Sequence, residues 1–290
     1  MRIMGIIQLA ILLPALLVFS PDADAQELFG KAKNNFRNFA AKKTLVVVNQ
    51  ADFTDLSIAD AVKSGWRISL YELCSQEKFH NLKTDTNYFF LLRVDGKFKA
   101  EKEASLEYLT LVKGGPSAKK GIEKMQEIVS MPLQAVGDES GKAFIFMPAL
   151  INIMQEHIMN VSEDILKAYV GNSFYTSRID KIGNKSLLFD KSDIGYTYTD
   201  EEVSELFGDK FTAGGFSDIS KALKESAANT VVSFTVSPAE NKSKGYSYQL
   251  LIDSENLELL FYRKHKISPK LPAGFTQEDL RRISVPYRTK

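Results

Sequence analysis

Thr44-Leu45-Val46-Val47-Val48 is a short run of β-branched and aliphatic residues with no polar face, and it reads as a strand buried on both sides. The residues after it decide the fold class. Leu56 to Ser64 puts Leu56, Ala59 and Val62 on one helical face and stops at Gly65, a residue favoured at helix ends. Arg67 to Cys74 is read as a second strand. Ser75 can cap a helix running to about Lys83, with Phe79 and Leu82 inward. Tyr88 to Val94 is a strand, Asp95-Gly96 is a tight-turn signal, and Leu106 to Val112 is another strand. Strands that alternate with short helices predict a sheet covered by helices.

Downstream, Pro116 or Ser117 starts a helix that carries Ile122, Met125, Ile128 and Val129 at helical spacing. After a loop around Gly137 to Gly141, a longer helix is expected from about Ala149 to Tyr169. Its stripe is Leu150, Met154, His157, Ile158, Val161 and Ile165. Then the first pattern returns. Ser186 to Phe189 is a strand, and Thr199 with Glu202 forms a capping box for a helix ending at Gly208. Lys210 to Phe216 is a strand, Ser217 or Asp218 caps a helix to Ala227, and Thr230 to Val236 and Ser247 to Ile252 are strands. Asp253 to Asn256 turns the chain, Leu257 to Arg263 returns as a hairpin, and Thr276 caps a closing helix through Ile283.

Element order and length agree between the two segments, although residue identity is low. The expected fold is therefore α/β with mixed sheets: two similar βαβαββ units at 44–113 and 183–290, joined by a helical segment at 114–182. The second unit adds the hairpin and the closing helix.

Ile68-Ser69-Leu70-Tyr71-Glu72-Leu73-Cys74-Ser75-Gln76-Glu77 and Leu250-Leu251-Ile252-Asp253-Ser254-Glu255-Asn256-Leu257-Glu258-Leu259-Leu260 carry a resemblance. They resemble the edge-like stretch and the closing hairpin of the small α/β module found at the amino terminus of TolB and in curli-channel lipoproteins. The chain departs from that family in having neither a lipobox cysteine nor propeller repeats, so pore formation and TolB-type partners do not carry over. Leu82-Lys83-Thr84-Asp85-Thr86-Asn87-Tyr88-Phe89-Phe90 and Leu111-Val112-Lys113-Gly114-Gly115-Pro116 resemble a family of secreted proteins from gut Bacteroidota. That resemblance implies a compartment and no activity.

The amino terminus points to the same compartment. Met1-Arg2 precedes an apolar run from Ile3 to Phe19, and Ala23-Asp24-Ala25 supplies the small residues that signal peptidase accepts. Residues 1–25 are thus expected to be a cleaved signal peptide of an exported protein, periplasmic or associated with the outer envelope and not a lipoprotein. Residues 26–43 form an amphipathic basic helix in this reading. Leu28, Phe29, Ala32, Phe36, Phe39 and Ala40 lie on one face, and Lys31, Lys33, Arg37, Lys42 and Lys43 fill the others. Such a helix either docks on its own domain or makes peripheral membrane contact through 28–40. The chain's one cysteine, Cys74, excludes an intrachain disulfide, so stability has to come from the core. A net charge of +1, with 25% charged residues, gives no reason to expect nucleic acid as a partner.

The chemistry is sparse. His80, His157 and His265 are far from one another and from Cys74, so no local metal pattern exists. Walker, G-x-G-x-x-G, G-x-S-x-G and H-E-x-x-H motifs are absent, and no cofactor is expected. Candidate binding residues are Gly114, Gly115 and Ser117, whose strand-to-helix junction could present backbone N–H groups to an anion. His157, on an apolar helix stripe, is another. So are Tyr246 and Tyr248, which alternation places on one face of the final hairpin. Cys74, just before a helix N-terminus, is a weaker nucleophile candidate. The expectation is a non-enzymatic module that binds an envelope protein or a cell-surface component. The alternative is a small-ligand binder or hydrolase with its site between the halves.

Overall fold

A computed structural model describes residues 38–96, 103–163, 178–239 and 245–288. The expected signal peptide and the amphipathic residues Leu28 to Phe36 lie outside the described residues. The described end of that segment is a single 3-10 turn at Phe39–Ala41, and Lys43 already begins the first strand. Phe39 is buried, with its ring 4.6 Å from Phe89 and 6.4 Å from Trp66.

The first sheet grows from β1 (Lys43–Val47). The chain leaves it through α1 (Phe53–Gly65), capped by Asp52, whose carboxylate accepts the N–H groups of Thr54 and Asp55. It returns as β2 (Leu70–Cys74), and Ser75 caps α2 (Gln76–Leu82) as the sequence predicts. Then come β3 (Tyr88–Gly96), β4 (Leu106–Lys113) and β5 (Gln126–Ala135). The strand order is β2-β1-β3-β4-β5, with β1 parallel to β2 and β3, and the last two pairings antiparallel. Next comes α3 (Lys142–Glu163). The second sheet holds β6 (Ser186–Asp190), α4 (Asp200–Phe207), β7 (Phe211–Gly214), α5 (Phe216–Lys224), β8 (Thr230–Val236), β9 (Tyr246–Asp253) and β10 (Leu259–Lys266). Its order, β10-β9-β8-β6-β7, is the first sheet's order with every strand in the corresponding place. α6 (Gln277–Ile283) and α7 (Val285–Arg288) close the chain. The fold is mixed α/β with two similar units.

Several local expectations differ from the structure. The helix expected to be capped by Ser217 or Asp218 is α5, which begins at Phe216 with Gly215 at its N-cap, and the Asp218 side chain accepts the Gly215 N–H. The stretch read as one helix from Pro116 to Val129 is two 3-10 turns, Pro116–Lys120 and Ile122–Lys124, followed by β5. Pairing with β4 overrides the helical spacing, and two register shifts in that pairing break the alternation that would have marked a strand. Pro132 within β5 is tolerated because β5 is an edge strand. Asp95-Gly96 does not turn; it extends β3, with Gly96 opposite Leu106. The long helix begins at Lys142, seven residues before Ala149, with Pro148 inside it. Pro148 is exposed, so the carbonyl its missing N–H leaves free can face water.

The two units meet through unlike faces. The largest core combines Ile58 and Val62 of α1, Phe146 and Leu150 of α3, and Ile219 and Ala222 of α5 with the inner faces of both sheets. So the first crossover helix of one unit and the second crossover helix of the other look at each other across α3. Phe146 stacks on Phe234 at 4.1 Å, which ties α3 to β8. The outer face of the first sheet packs on Phe79 of α2, and that of the second on α4 and α6. Full burial of one such ring contributes about 1.5–3 kcal/mol. α3 also closes the end of α1: the Gln155 side chain accepts from the Arg67 N–H at 2.7 Å and donates to the Gly65 carbonyl at 2.9 Å.

Candidate functional site

The final hairpin sets one wall of a groove between the sheets. In the β9–β10 ladder Lys264 stands opposite Tyr248, and Tyr262 opposite Leu250. Side chains that point the same way from neighbouring strands share a face. Tyr246, Tyr248, Tyr262 and Lys264 therefore form one surface. The Lys264 ammonium lies 4.3 Å from the Tyr246 ring centre and 5.2 Å from that of Tyr248. Both distances suit a cation–π contact.

The opposite wall comes from β4 and β5, where Tyr108 faces Pro132 and Thr110 faces Ser130. The Thr110 and Ser130 hydroxyls bond to each other at 2.9 Å. The Tyr108 and Tyr248 hydroxyls meet at 3.0 Å, with their rings edge-on at 5.9 Å, and this contact bridges the two sheets. Gly96 makes room for it. A Cβ at that position would lie 2.2 Å from the Tyr108 ring. The groove, open to solvent along one side, measures about 460 Å³. Asp95, Glu123 and Glu127 stand exposed around it, and Lys264 is the one cation among the described residues that line it. Burial pushes the Tyr248 phenol well above the usual tyrosine range, and its bond to Tyr108 adds to the shift. Desolvation lowers Lys264, and Glu127 partly opposes that.

Tyr246 and Tyr248 are thus brought together on one face, as alternation predicts. The other candidates lie elsewhere. Gly114 and Gly115 donate their N–H groups to the carbonyls of Tyr88 and Lys83, each at 3.0 Å. A Cβ on Gly114 would sit 2.1 Å from the Asp85 carbonyl oxygen, so the glycine serves a close backbone approach. Ser117 is exposed on the following 3-10 turn. His157 is half-buried on α3, and burial pulls its imidazole down to about 4, so it is neutral at physiological pH. His265 lies in a buried network, with Nδ1 3.2 Å from Gln249 Oε1 and Nε2 2.8 Å from the Pro272 carbonyl. Burial pushes the Cys74 thiol up to about 11, which disfavours a thiolate nucleophile. Among the described residues no His, Cys, Asp and Glu cluster is arranged to hold a metal ion, and no helix is long and apolar enough to cross a membrane.

Two features escaped the sequence reading. Tyr108 and Lys264 join the site only through strand register and sheet-on-sheet packing. The second feature is a repeated Asp-x-x-Asp at or beyond the end of the first strand of each unit, Asp52/Asp55 and Asp190/Asp193. Each pair holds a cation. Arg93 contacts Asp52, reaches Asp55 at 3.1 Å, and also pairs with Glu107 at 3.1 Å. Lys142 lies 2.5 Å from Asp193 and 3.5 Å from Asp190. The recurring spacing was the available signal.

A second concavity lies between α1 and α3, lined by Leu56, Phe144, Pro148 and a Phe53 that is 80% exposed. It is shallow and built mainly from apolar side chains. The tyrosine groove combines aromatic faces, hydroxyls and charge, and both units build it. No known protein family, curated protein or solved structure matches the chain.

Proposed function

We propose that the protein is an exported, non-enzymatic binding protein of the cell envelope, and that its binding site is the tyrosine-lined groove between the sheets. Export rests on the apolar run and cleavage site within residues 1–25. The observation that carries the binding reading is the bridged pair Tyr108 and Tyr248, with Tyr262 and Lys264 beside it, over a groove that both units supply. Aromatic faces with a few polar groups are what binding surfaces use for affinity at low entropic cost. The groove hydroxyls pair with one another, and the three histidines and Cys74 lie outside its walls, which favours binding over catalysis. The groove volume also suits the second reading, a small-ligand binder with its site between the halves, because such sites span about 300–1,000 Å³.

In-cell crosslinking of the tagged protein, compared with Tyr262→Ala, tests the proposal. Tyr262 is only half-buried, so the variant is expected to fold. The expected outcome is an envelope partner captured by the parent and reduced about tenfold in the variant, with thermal unfolding within a few degrees. Equal capture by both proteins would remove the groove from the function.

A further inference from the structure

We infer that the groove recognises a lysine-bearing segment of a partner protein, an inference that rests on the groove being the binding site. The tyrosine faces already hold a cation. An ammonium group, that of Lys264, sits over the rings of Tyr246 and Tyr248. Ring faces carry the negative part of the aromatic quadrupole, so the Tyr248 ring, which lines the groove, is placed to take a positive charge, with Tyr246 beside it outside the lining. The rim agrees with the rings. Asp95, Glu123 and Glu127 outnumber Lys264 among the described residues that line the groove.

An acidic ligand would meet Lys264 and would have to pass three carboxylates. A basic ligand finds carboxylates for its ammonium and aromatic faces for its methylene stem. The floor suits such a stem: Val112, Met125 and Pro132 line it beside the Thr110–Ser130 hydroxyl pair. Lys264 is itself exposed, at the rim. It therefore acts as an internal stand-in that a ligand lysine displaces toward water. Removing the Lys264 charge frees the ring faces and relieves like-charge repulsion, so it strengthens binding of a basic ligand and weakens binding of an acidic one.

The test is calorimetric titration of the full mature chain with four probes: a lysine tetrapeptide, a glutamate tetrapeptide, spermidine and a neutral tetrasaccharide. Each is run on the parent and on Lys264→Met, Glu127→Gln and Tyr262→Ala. The expected result is preference for the lysine peptide. Affinity should rise about threefold in Lys264→Met, fall about threefold in Glu127→Gln and fall about tenfold in Tyr262→Ala. Binding of the glutamate peptide, weakened by Lys264→Met, would overturn the cationic class while keeping the groove as the site. So would binding of the tetrasaccharide alone that is lost in Tyr262→Ala. Spermidine binding as tightly as the peptide, with the same response to the variants, would overturn the protein-segment assignment in favour of a free polyamine. Failure of every probe to respond to Tyr262→Ala would remove the groove as well as its ligand. Circular dichroism of each variant separates these outcomes from misfolding.

Discussion

In the first unit, Asp52 and Asp55 close on Arg93, which belongs to the same sheet; in the second, Asp190 and Asp193 close on Lys142, which arrives on α3 from the end of the first unit. The inner carboxylate differs as well. Asp55 keeps about a tenth of its side-chain surface, whereas Asp193 is almost wholly enclosed and also accepts the Ser233 hydroxyl at 2.7 Å. Two units with one strand order thus solve the same problem, a pair of acids at or beyond the end of the first strand, with cations of different origin. The first is self-contained in its charge. The second is complete only with α3 against it. Topology is repeated while the interface is not, and α3 is structurally part of both units.

The largest perturbation should come from the hydrophobic side of that shared helix. Phe146→Ala removes the ring stacked on Phe234 and should cost about 4 kcal/mol. Urea unfolding of the parent, followed by Trp66 fluorescence in the first unit and by far-ultraviolet circular dichroism for the whole chain, should give coincident transitions. Separate transitions would mean that the units do not depend on a shared core.

The charge clusters come next. Lys142→Ala strands a buried Asp193 and should cost about 3 kcal/mol in the same titration. Arg93→Ala leaves Asp52, Asp55 and Glu107 closer to water and should cost about 2 kcal/mol. The reverse order would show that the self-contained cluster is the more critical one.

The smallest effect is a slope. Burial alone would raise Asp190, but the Ser192 N–H and Lys142 outweigh it and hold its pKa low. For Asp193 burial wins over Lys142 and Ser233, and its pKa is raised. The two act oppositely on stability. The Asp190 contribution is present above the unfolded value of 3.8 and is lost as pH falls through its folded pKa. The Asp193 contribution is full below 3.8 and is lost as pH rises through its raised folded pKa. Asp193→Asn deletes the second and leaves the first, so stability of the variant should fall more steeply than that of the parent between about pH 6 and pH 3. Urea midpoints across that range measure it, and parallel curves would place the Asp193 proton outside the stability balance. The first unit carries the same opposition, with Asp52 lowered and Asp55 raised, around Arg93.

Elements defined by local chemistry were legible in the sequence. Thr230 to Val236 is a strand with the expected ends. Ser75, Thr199 and Thr276 cap helices because a short oxygen-bearing side chain reaches an N–H three residues on. β5 was hidden because its bulges and Pro132 disturb the two-residue period, while Ile122, Met125 and Val129 imitate a helical one. Gly96 looked like a turn residue, yet its small size is used to seat the Tyr108 ring. The site was half legible for the same reason. Tyr246 and Tyr248 share a face by alternation alone. The meeting of Tyr248 with Tyr108 depends on how two sheets pack, and pairwise spacing along one strand carries no information about that.

The unlike faces through which the units meet have an architectural consequence. A contact of front to back does not close at two, as a two-fold contact would; repeated, it generates a ring or an open row. A third unit of the same kind would dock its second crossover helix on the α4 side of the second sheet, as the second unit docks beside α1. That position is taken. α6 lies there, with Leu280 and Ile283 against Phe207 and Phe261, and it turns Glu278, Arg281 and Arg282 outward. The closing helix thus covers that face in the way a cap covers the end of a solenoid, and it blocks further stacking on that side.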